Sequence, residues 1–451
     1  MSILEGFRSK DFLEQITLLN EIAGSKSQEA LPELLELFEH PMGDASIDAM
    51  VVNALNGVLS ANEAAVIQGL GASAPAFRTL CIRVAGEYGF PAAAAPLADM
   101  AAAEKDPDAL IEILTALARI AAPATLPVFR ACLGHEDELI AALSIEMIGR
   151  FRDDASLPRL MQVVLDNEAP DRFEQCDVTT WKAVEAMAAI GTDDCLEFLA
   201  GSLHHKNPTV RRIITDALVA LGERAVPFVS RAFNQGAGAD DKILAANVLG
   251  FIAHRKGADA LVAAHDKGLT TDPNVRYAVY ESLGRIGTLK GLICLMDGLQ
   301  EDDELILMAV VGGLERHVNP GMVQTLKKLL GRGDAQARRL AGAICASRAV
   351  NLFSALYPEP ALGELLMEAV RRSNDPETVD AFRQRLEAVA PECGDRAKAD
   401  MACLPQTGAT TGRALAADDS RSMLALHRAI LTDLGLDPLL AANGEEAYAV
   451  V

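Results

Sequence analysis

Two adjacent carboxylates, Asp418 and Asp419, close a short apolar run (Ala-Leu-Ala-Ala) and are followed by Ser420. At the end of a strand such a pair offers hard oxygen atoms to a cation; in a tail it would cap a helix. His204-His205-Lys206 also has ligand-type side chains, with Cys195 and Asp193-Asp194 close in sequence. No second Cys or His completes a zinc spacing, so a solvated turn between structural units is the plainer account. His254, His265 and His317 fall near helix ends, where the helix dipole explains them. Gly236-Ala237-Gly238 is rich in glycine, but Asp240-Asp241 follow where a phosphate-binding loop needs Lys-Ser/Thr. No Ser-His-Asp elbow, H-E-x-x-H or kinase signature occurs.

Two kinds of residue could recognise a partner. Arg211, Arg276 and Arg338 recur at matching places, with Lys242 in the corresponding position of another unit. They could form a basic ladder; bonds to acidic or carbonyl groups of a neighbouring turn are the expectation. Trp181, the single tryptophan, directly follows the irregular stretch 167–177. Aromatic anchors dominate binding hot spots, yet a core role within its own unit is expected. The stretch 167–177 itself is the best recognition-loop candidate, because it interrupts a periodic scaffold.

Composition narrows the class. Half of the residues are hydrophobic but only 4% are aromatic, which favours closely packed Ala/Leu helices. The 41 Lys and Arg against 63 Asp and Glu give a net charge of −22. A chain this acidic lacks the basic face that nucleic acid requires and is repelled by an anionic membrane. The eight cysteines (81, 132, 176, 195, 294, 345, 393, 403) contain no C-x-x-C pair and read as free thiols. No run reaches about 18 apolar residues, and the first residues carry charges where a signal peptide needs an apolar core. A cytoplasmic protein is the expectation.

The elements that position these residues are helices in pairs: 11–23 with 29–39, 45–59 with 62–70, 74–88 with 91–103, and 108–121 with 123–134. Asn207-Pro-Thr-Val-Arg opens a unit ending at Gly222, and Asp272-Pro-Asn-Val-Arg opens one ending at Gly287. Asn or Asp caps the first free N–H groups, proline sits where its missing donor costs nothing, and glycine ends the helix. Gly149, Gly191, Gly222 and Gly287 then mark successive helix ends, with 239–253 as a further unit between the last two. Later pairs are 304–317 with 320–331 and 335–347 with 349–372, the last loosened at Tyr357-Pro-Glu-Pro, and 376–390 closes the series.

Self-similarity at thirty-odd residues means a solenoid, because one unit cannot bury its own stripe. The (Asn/Asp)-Pro-x-Val-Arg opening and the Leu-x-x-(Leu/Ile)-Gly close resemble short bacterial HEAT-like repeats, over about residues 1–390. The fold expected is an all-α superhelix of about ten to twelve helix pairs.

After Pro391 the texture changes. Residues 391–411 read as a linker. Residues 412–451 order themselves as strand, Asp418-Asp419-Ser420, helix, second strand, then Ala441-Ala-Asn-Gly-Glu-Glu-Ala. This resembles the first, β-α-β-α half of a response-regulator receiver domain, a small α/β fold. The resemblance implies that Asp418 and Asp419 ligate Mg²⁺, that a sensor histidine kinase is a partner, and that the phosphoacceptor aspartate and the lysine lie beyond Val451. The combined expectation is a non-enzymatic signalling scaffold whose repeat surface binds a protein under receiver control. The alternatives are a bilin-lyase-type enzyme, since similar repeats build those proteins, and a purely structural scaffold.

Overall fold

The computed structural model describes residues 3–167, 177–373, 375–404, 412–418, 423–424, 427–428, 430–431 and 434–450. The chain divides into two compact units, Met1–Val248 and Leu249–Val451. In each, helices alternate in pairs: the first helix of a pair packs on the first helix of the next pair, and second helices pack on second helices.

The openings behave as their residues dictate. Asn207 Oδ1 accepts from the N–H groups of Thr209 (2.9 Å) and Val210 (3.4 Å), and the helix Pro208–Leu221 follows. Asp272 Oδ1 accepts from Asn274 (2.9 Å) and Val275 (3.2 Å) ahead of Pro273–Ile286. Asp106, Asp137, Asp303 and Asp334 cap other first helices in the same way.

The helix ends depart from the expectation. Gly191 and Gly287 do sit at the helix C-cap with φ of 64° and 70°. Elsewhere Ala121 (φ 51°) and Arg152 (φ 53°) take the left-handed cap at roughly 1 kcal/mol of strain. Gly149 is therefore no terminator. It lies inside Glu138–Phe151, three residues before the Arg152 cap. A Cβ built on it would stand 2.7 Å from Ala186 Cα in the next first helix. Gly86 meets Ala116 at the same 2.7 Å, and Gly284 meets Gly313 Cα at 2.3 Å. Each of these glycines is the twelfth residue of its 14-residue helix. Small residues there let consecutive first helices cross backbone to backbone.

Polar ties run from one repeat to the next. Arg150 reaches the carbonyl of Ala118, 32 residues back; Arg224 reaches Gly191 and His317 reaches Gly284, each 33 back. Asn351 and Leu352 donate to the carboxylate of Glu315, which caps the helix Val350–Leu356. Where the stretch 168–176 intervenes, the jumps lengthen to 40 and 41 residues.

The expected linker is helical over its first part. Pro376–Cys393 contains Pro391 in its last turn, Gly394 turns the chain at φ 61°, and Asp395–Ala402 follows. The cause is a buried anchor. Tyr357 is fully buried and donates to Asp400 Oδ2 at 2.7 Å, and Arg371 donates to Asp400 Oδ1 at 2.7 Å. Arg396 stacks 4.4 Å above the Tyr357 ring. The segment read as loosening a long helix thus holds the C-terminal helices, although it does separate Val350–Leu356 from Pro360–Arg371.

Two strands follow, β1 (Arg413–Ala417) and β2 (Asp437–Ala441). They pair in parallel, Leu415 opposite Leu439. Parallel neighbours need a crossover, and the described residues among 423–431 are helical. A last helix, Gly444–Val450, starts after Asn443, whose Oδ1 accepts from Glu446 N at 2.9 Å.

Candidate binding site

The repeat opened by Asp272-Pro273 builds a polar cleft. One turn into its first helix, Arg276 reaches back to the carbonyls of Thr270 and Thr271, each at 3.2 Å. The same guanidinium reaches forward to Glu301 Oε2 at 2.8 Å. Tyr280, one turn further, is buried and donates its hydroxyl to Glu301 Oε1 at 3.1 Å, so both oxygens of that carboxylate are engaged. Burial, reinforced by the Glu301 charge and opposed by Arg276, pushes the Tyr280 phenol far above its usual range. Tyr280 therefore stays a hydrogen-bond donor and has no acid–base role near neutrality. The His265 ring lies 5.5 Å from the Tyr280 ring, with Nδ1 2.8 Å from the hydroxyl of Thr270.

These groups line a cleft of about 530 Å³ whose mouth adds Asp297, Asp302 and Asp303. Four carboxylates, counting Glu301, face one guanidinium, Arg276. Asp303 is occupied as a helix cap. Asp302 takes a bond from Arg339 at 2.7 Å, yet its side chain is 91% exposed. Among the described residues this leaves Asp297 as the cleft carboxylate able to receive positive charge.

An apolar groove opens beside it, between two consecutive second helices, Leu289–Asp297 and Pro320–Leu330. Leu289 and Ile293, one turn apart, are 77% and 55% exposed. Leu292 and Met296 flank them, and Met322 and Leu329 form the opposite wall of a groove of about 660 Å³. Asp297 and Gln300 line both the groove and the cleft. The opposite face of Leu289–Asp297 buries Gly291, Cys294 and Leu295. This helix is apolar on two sides. The run Leu-Lys-Gly-Leu-Ile-Cys-Leu-Met is the sequence signal for it, because a helix apolar all round needs cover on both faces.

The residues singled out from sequence have mixed fates. Asp418 is half-buried at the carboxyl end of β1, where its N–H donates to Ala441 O at 3.0 Å. A carboxylate is the hard oxygen donor that Mg²⁺ takes. Asp419 lies outside the described residues. Among the described residues no group of three or more His, Cys, Asp or Glu is placed to hold a metal ion.

His205 is not solvated. It is 1% exposed; its Nε2 lies 3.1 Å from Val164 O, and its Nδ1 accepts from Asn207 N at 3.1 Å. A carbonyl can only accept, so Nε2 carries the proton. Asn207 donates to Asn167 Oδ1 at 2.7 Å, and Asn167 donates to Thr180 at 3.2 Å. This buried polar network brackets residues 168–176, the greater part of the suspected recognition loop, which lie outside the described residues.

Trp181 is 53% exposed, with its indole N–H donating to Glu185 at 2.9 Å, so it is no core residue. Arg211 is spent on the carbonyls of His205 (2.8 Å) and Lys206 (3.2 Å), as the carbonyl-binding expectation has it. Arg338 is exposed, and it is Arg339 that reaches the preceding repeat. His317 does more than sit by a dipole, since its Nε2 lies 2.8 Å from Gly284 O. Neither the cleft nor the groove was among the sequence candidates, because both depend on pairs of helices meeting.

Among the described residues no single helix is long and apolar enough to cross a membrane. No curated protein matches the sequence. Solved structures are similar in fold at low identity. The complex of CpcE and CpcF of phycocyanin lyase from Nostoc sp. PCC7120 is 15% identical over 58% of this chain and 91% of that one, with a TM-score of 0.30. An engineered protein is 15% identical over 83% and 98%, at 0.32. Kap121p bound to Ste12p is 11% identical over 84% and 53%, at 0.33. The family described as HEAT repeats matches residues 63–140, 102–176 and 235–315.

Proposed function

We propose that this chain is a protein-interaction scaffold, not an enzyme, and that its working surface is the face carrying the groove and the cleft. The observation that carries this reading is the exposure of Leu289 and Ile293 over a groove walled by Met322 and Leu329. Exposed apolar residues scattered singly need no explanation, but a grooved apolar patch with a polar rim marks an interaction site. A photo-crosslinking residue at position 293 should form adducts with a protein partner in cells, and one at the exposed polar position Glu364 should not. Equal labelling from both positions overturns the reading. So does a coloured adduct formed on co-expression with a bilin and an acceptor subunit, which would mark a lyase.

The C-terminal segment would supply control. The parallel pair β1–β2, with Asp418 at the carboxyl end of β1, supports a receiver-like half in which Asp418 and Asp419 hold Mg²⁺. There the ion would neutralise charge beside a phosphorylated aspartate. A sensor histidine kinase is the corresponding partner. Acetyl phosphate and Mg²⁺, applied to protein expressed from its complete coding sequence, should add one phosphoryl group, and Asp418→Asn should abolish the addition. An unmodified protein removes the control element and leaves the scaffold.

A further inference from the structure

We infer that the groove between Leu289–Asp297 and Pro320–Leu330 takes a basic, apolar-anchored segment of a protein partner, with its Lys or Arg side chains turned into the adjoining cleft. The inference rests on the scaffold reading and names the chemistry of the occupant. Two adjoining surfaces of different character carry it. The groove offers Leu289, Leu292, Ile293 and Met296 to apolar side chains. Cleft and groove share Asp297 and Gln300, so a segment lying in the groove passes the cleft mouth.

Charge selects among occupants. The groove lining contains one charged residue, Asp297. The cleft lining adds Glu301, Asp302 and Asp303 against Arg276 alone. Glu301 is neutralised by Arg276, Asp302 is paired with Arg339 and Asp303 caps a helix, which leaves Asp297, shared by cleft and groove, to meet a cation on the rim. An acidic or neutral apolar segment would fill the groove and leave Asp297 facing like charge or nothing. A second copy of this chain, at a net charge of −22, is disfavoured for the same reason. A basic segment satisfies both surfaces.

A phage-displayed library of random peptides, about 16 residues long, tests this when selected on the full chain and counter-selected on Ile293→Asp. Position 293 is exposed, so an unchanged thermal melt will show that the variant folds. Recovered peptides should carry two or more Leu, Ile, Met or Phe together with an excess of Lys and Arg. By fluorescence anisotropy, Ile293→Asp should weaken a recovered peptide about tenfold or more, and Asp297→Asn should weaken it about threefold. The loss should shrink as salt rises. Peptides without a basic excess, peptides indifferent to Ile293→Asp, or no recovered peptide at all would each overturn the inference. If position 293 crosslinks a partner whose contacting segment is acidic, this inference fails and the scaffold reading stands. If position 293 crosslinks nothing in cells, both fail.

Discussion

The repeats at 207–222 and 272–287 share a cap, a proline, Val-Arg and a terminal glycine, yet their surroundings make them different objects. Asn207 is completely buried, and its amide donates to Asn167 while its oxygen caps the helix. Asp272 only caps. Arg211 holds the turn before it, and Arg276 holds its turn and Glu301 of the next repeat as well. The motif specifies a helix and its entry turn. What that helix does is decided by the residues brought against it from about thirty positions away.

Exchanging the two caps should break this comparison most visibly. Asn207→Asp keeps the cap but replaces a buried donor with a carboxylate facing Asn167 Oδ1, and should cost about 3 kcal/mol or more. Asp272→Asn should cost under about 0.5 kcal/mol, because Asn and Asp cap equally well. Urea unfolding of the two variants checks it, and equal losses would show that burial does not separate the repeats.

The terminal glycines come next. Gly287→Ala must strain a φ of 70° and place a Cβ within 2.2 Å of the His317 ring, which bonds to Gly284. Gly222 has φ 58° with nothing within 4 Å. Thermal melts should show a loss of about 2–3 kcal/mol for Gly287→Ala and Gly222→Ala alike. At Gly287→Ala it comes from the His317 clash, and at Gly222→Ala from a ψ of −131° that lies outside the left-handed well open to alanine. For the arginines, Arg276→Met leaves Glu301 unpaired beside Tyr280 and should cost about 1–2 kcal/mol, against at most about 1 kcal/mol for Arg211→Met.

The smallest difference appears only in alkali. The Tyr280 phenol is held far above its unfolded value of about 10, chiefly by burial, so the folded state keeps its proton longer than the unfolded state. Its contribution is complete below about pH 10 and is lost as pH rises beyond that toward the folded value. Tyr280→Phe should therefore flatten the alkaline limb of a stability–pH curve. The matching residue in the other repeat, Thr215, has no proton to lose in that range, and Thr215→Val should leave the limb unchanged.

Helix starts were legible because their causes are local: an Asn or Asp, then a proline or a short apolar stretch. Helix ends were less so. Glycine is the visible terminator, but Ala121 and Arg152 accept the left-handed cap, so the glycine at 149 was misplaced by three residues. Its true partner, Ala186, is 37 positions away, and nothing within one helix reveals that crossing. His205 looked exposed because a His-His-Lys turn is polar; its burial comes from Val164 across the interrupted repeat. Trp181 looked buried because it is large and apolar. The cleft was half legible, since Arg276 was singled out, but Glu301 and Tyr280 gain meaning only beside it. The groove left one trace, a helix apolar on two sides.

Consider finally the ties that join Arg150 to Ala118, Arg224 to Gly191 and His317 to Gly284. Bonds of such uniform reach couple each repeat to its neighbour and no further, as in a row of dominoes. Amide exchange inside either compact unit should then proceed as a front moving inward, its speed set by the weakest junction it meets. A partner clamped across Ile293 and Thr325 would pin two adjacent repeats and halt that front where it sits. Occupancy could be read from protection alone, many residues away from any contact.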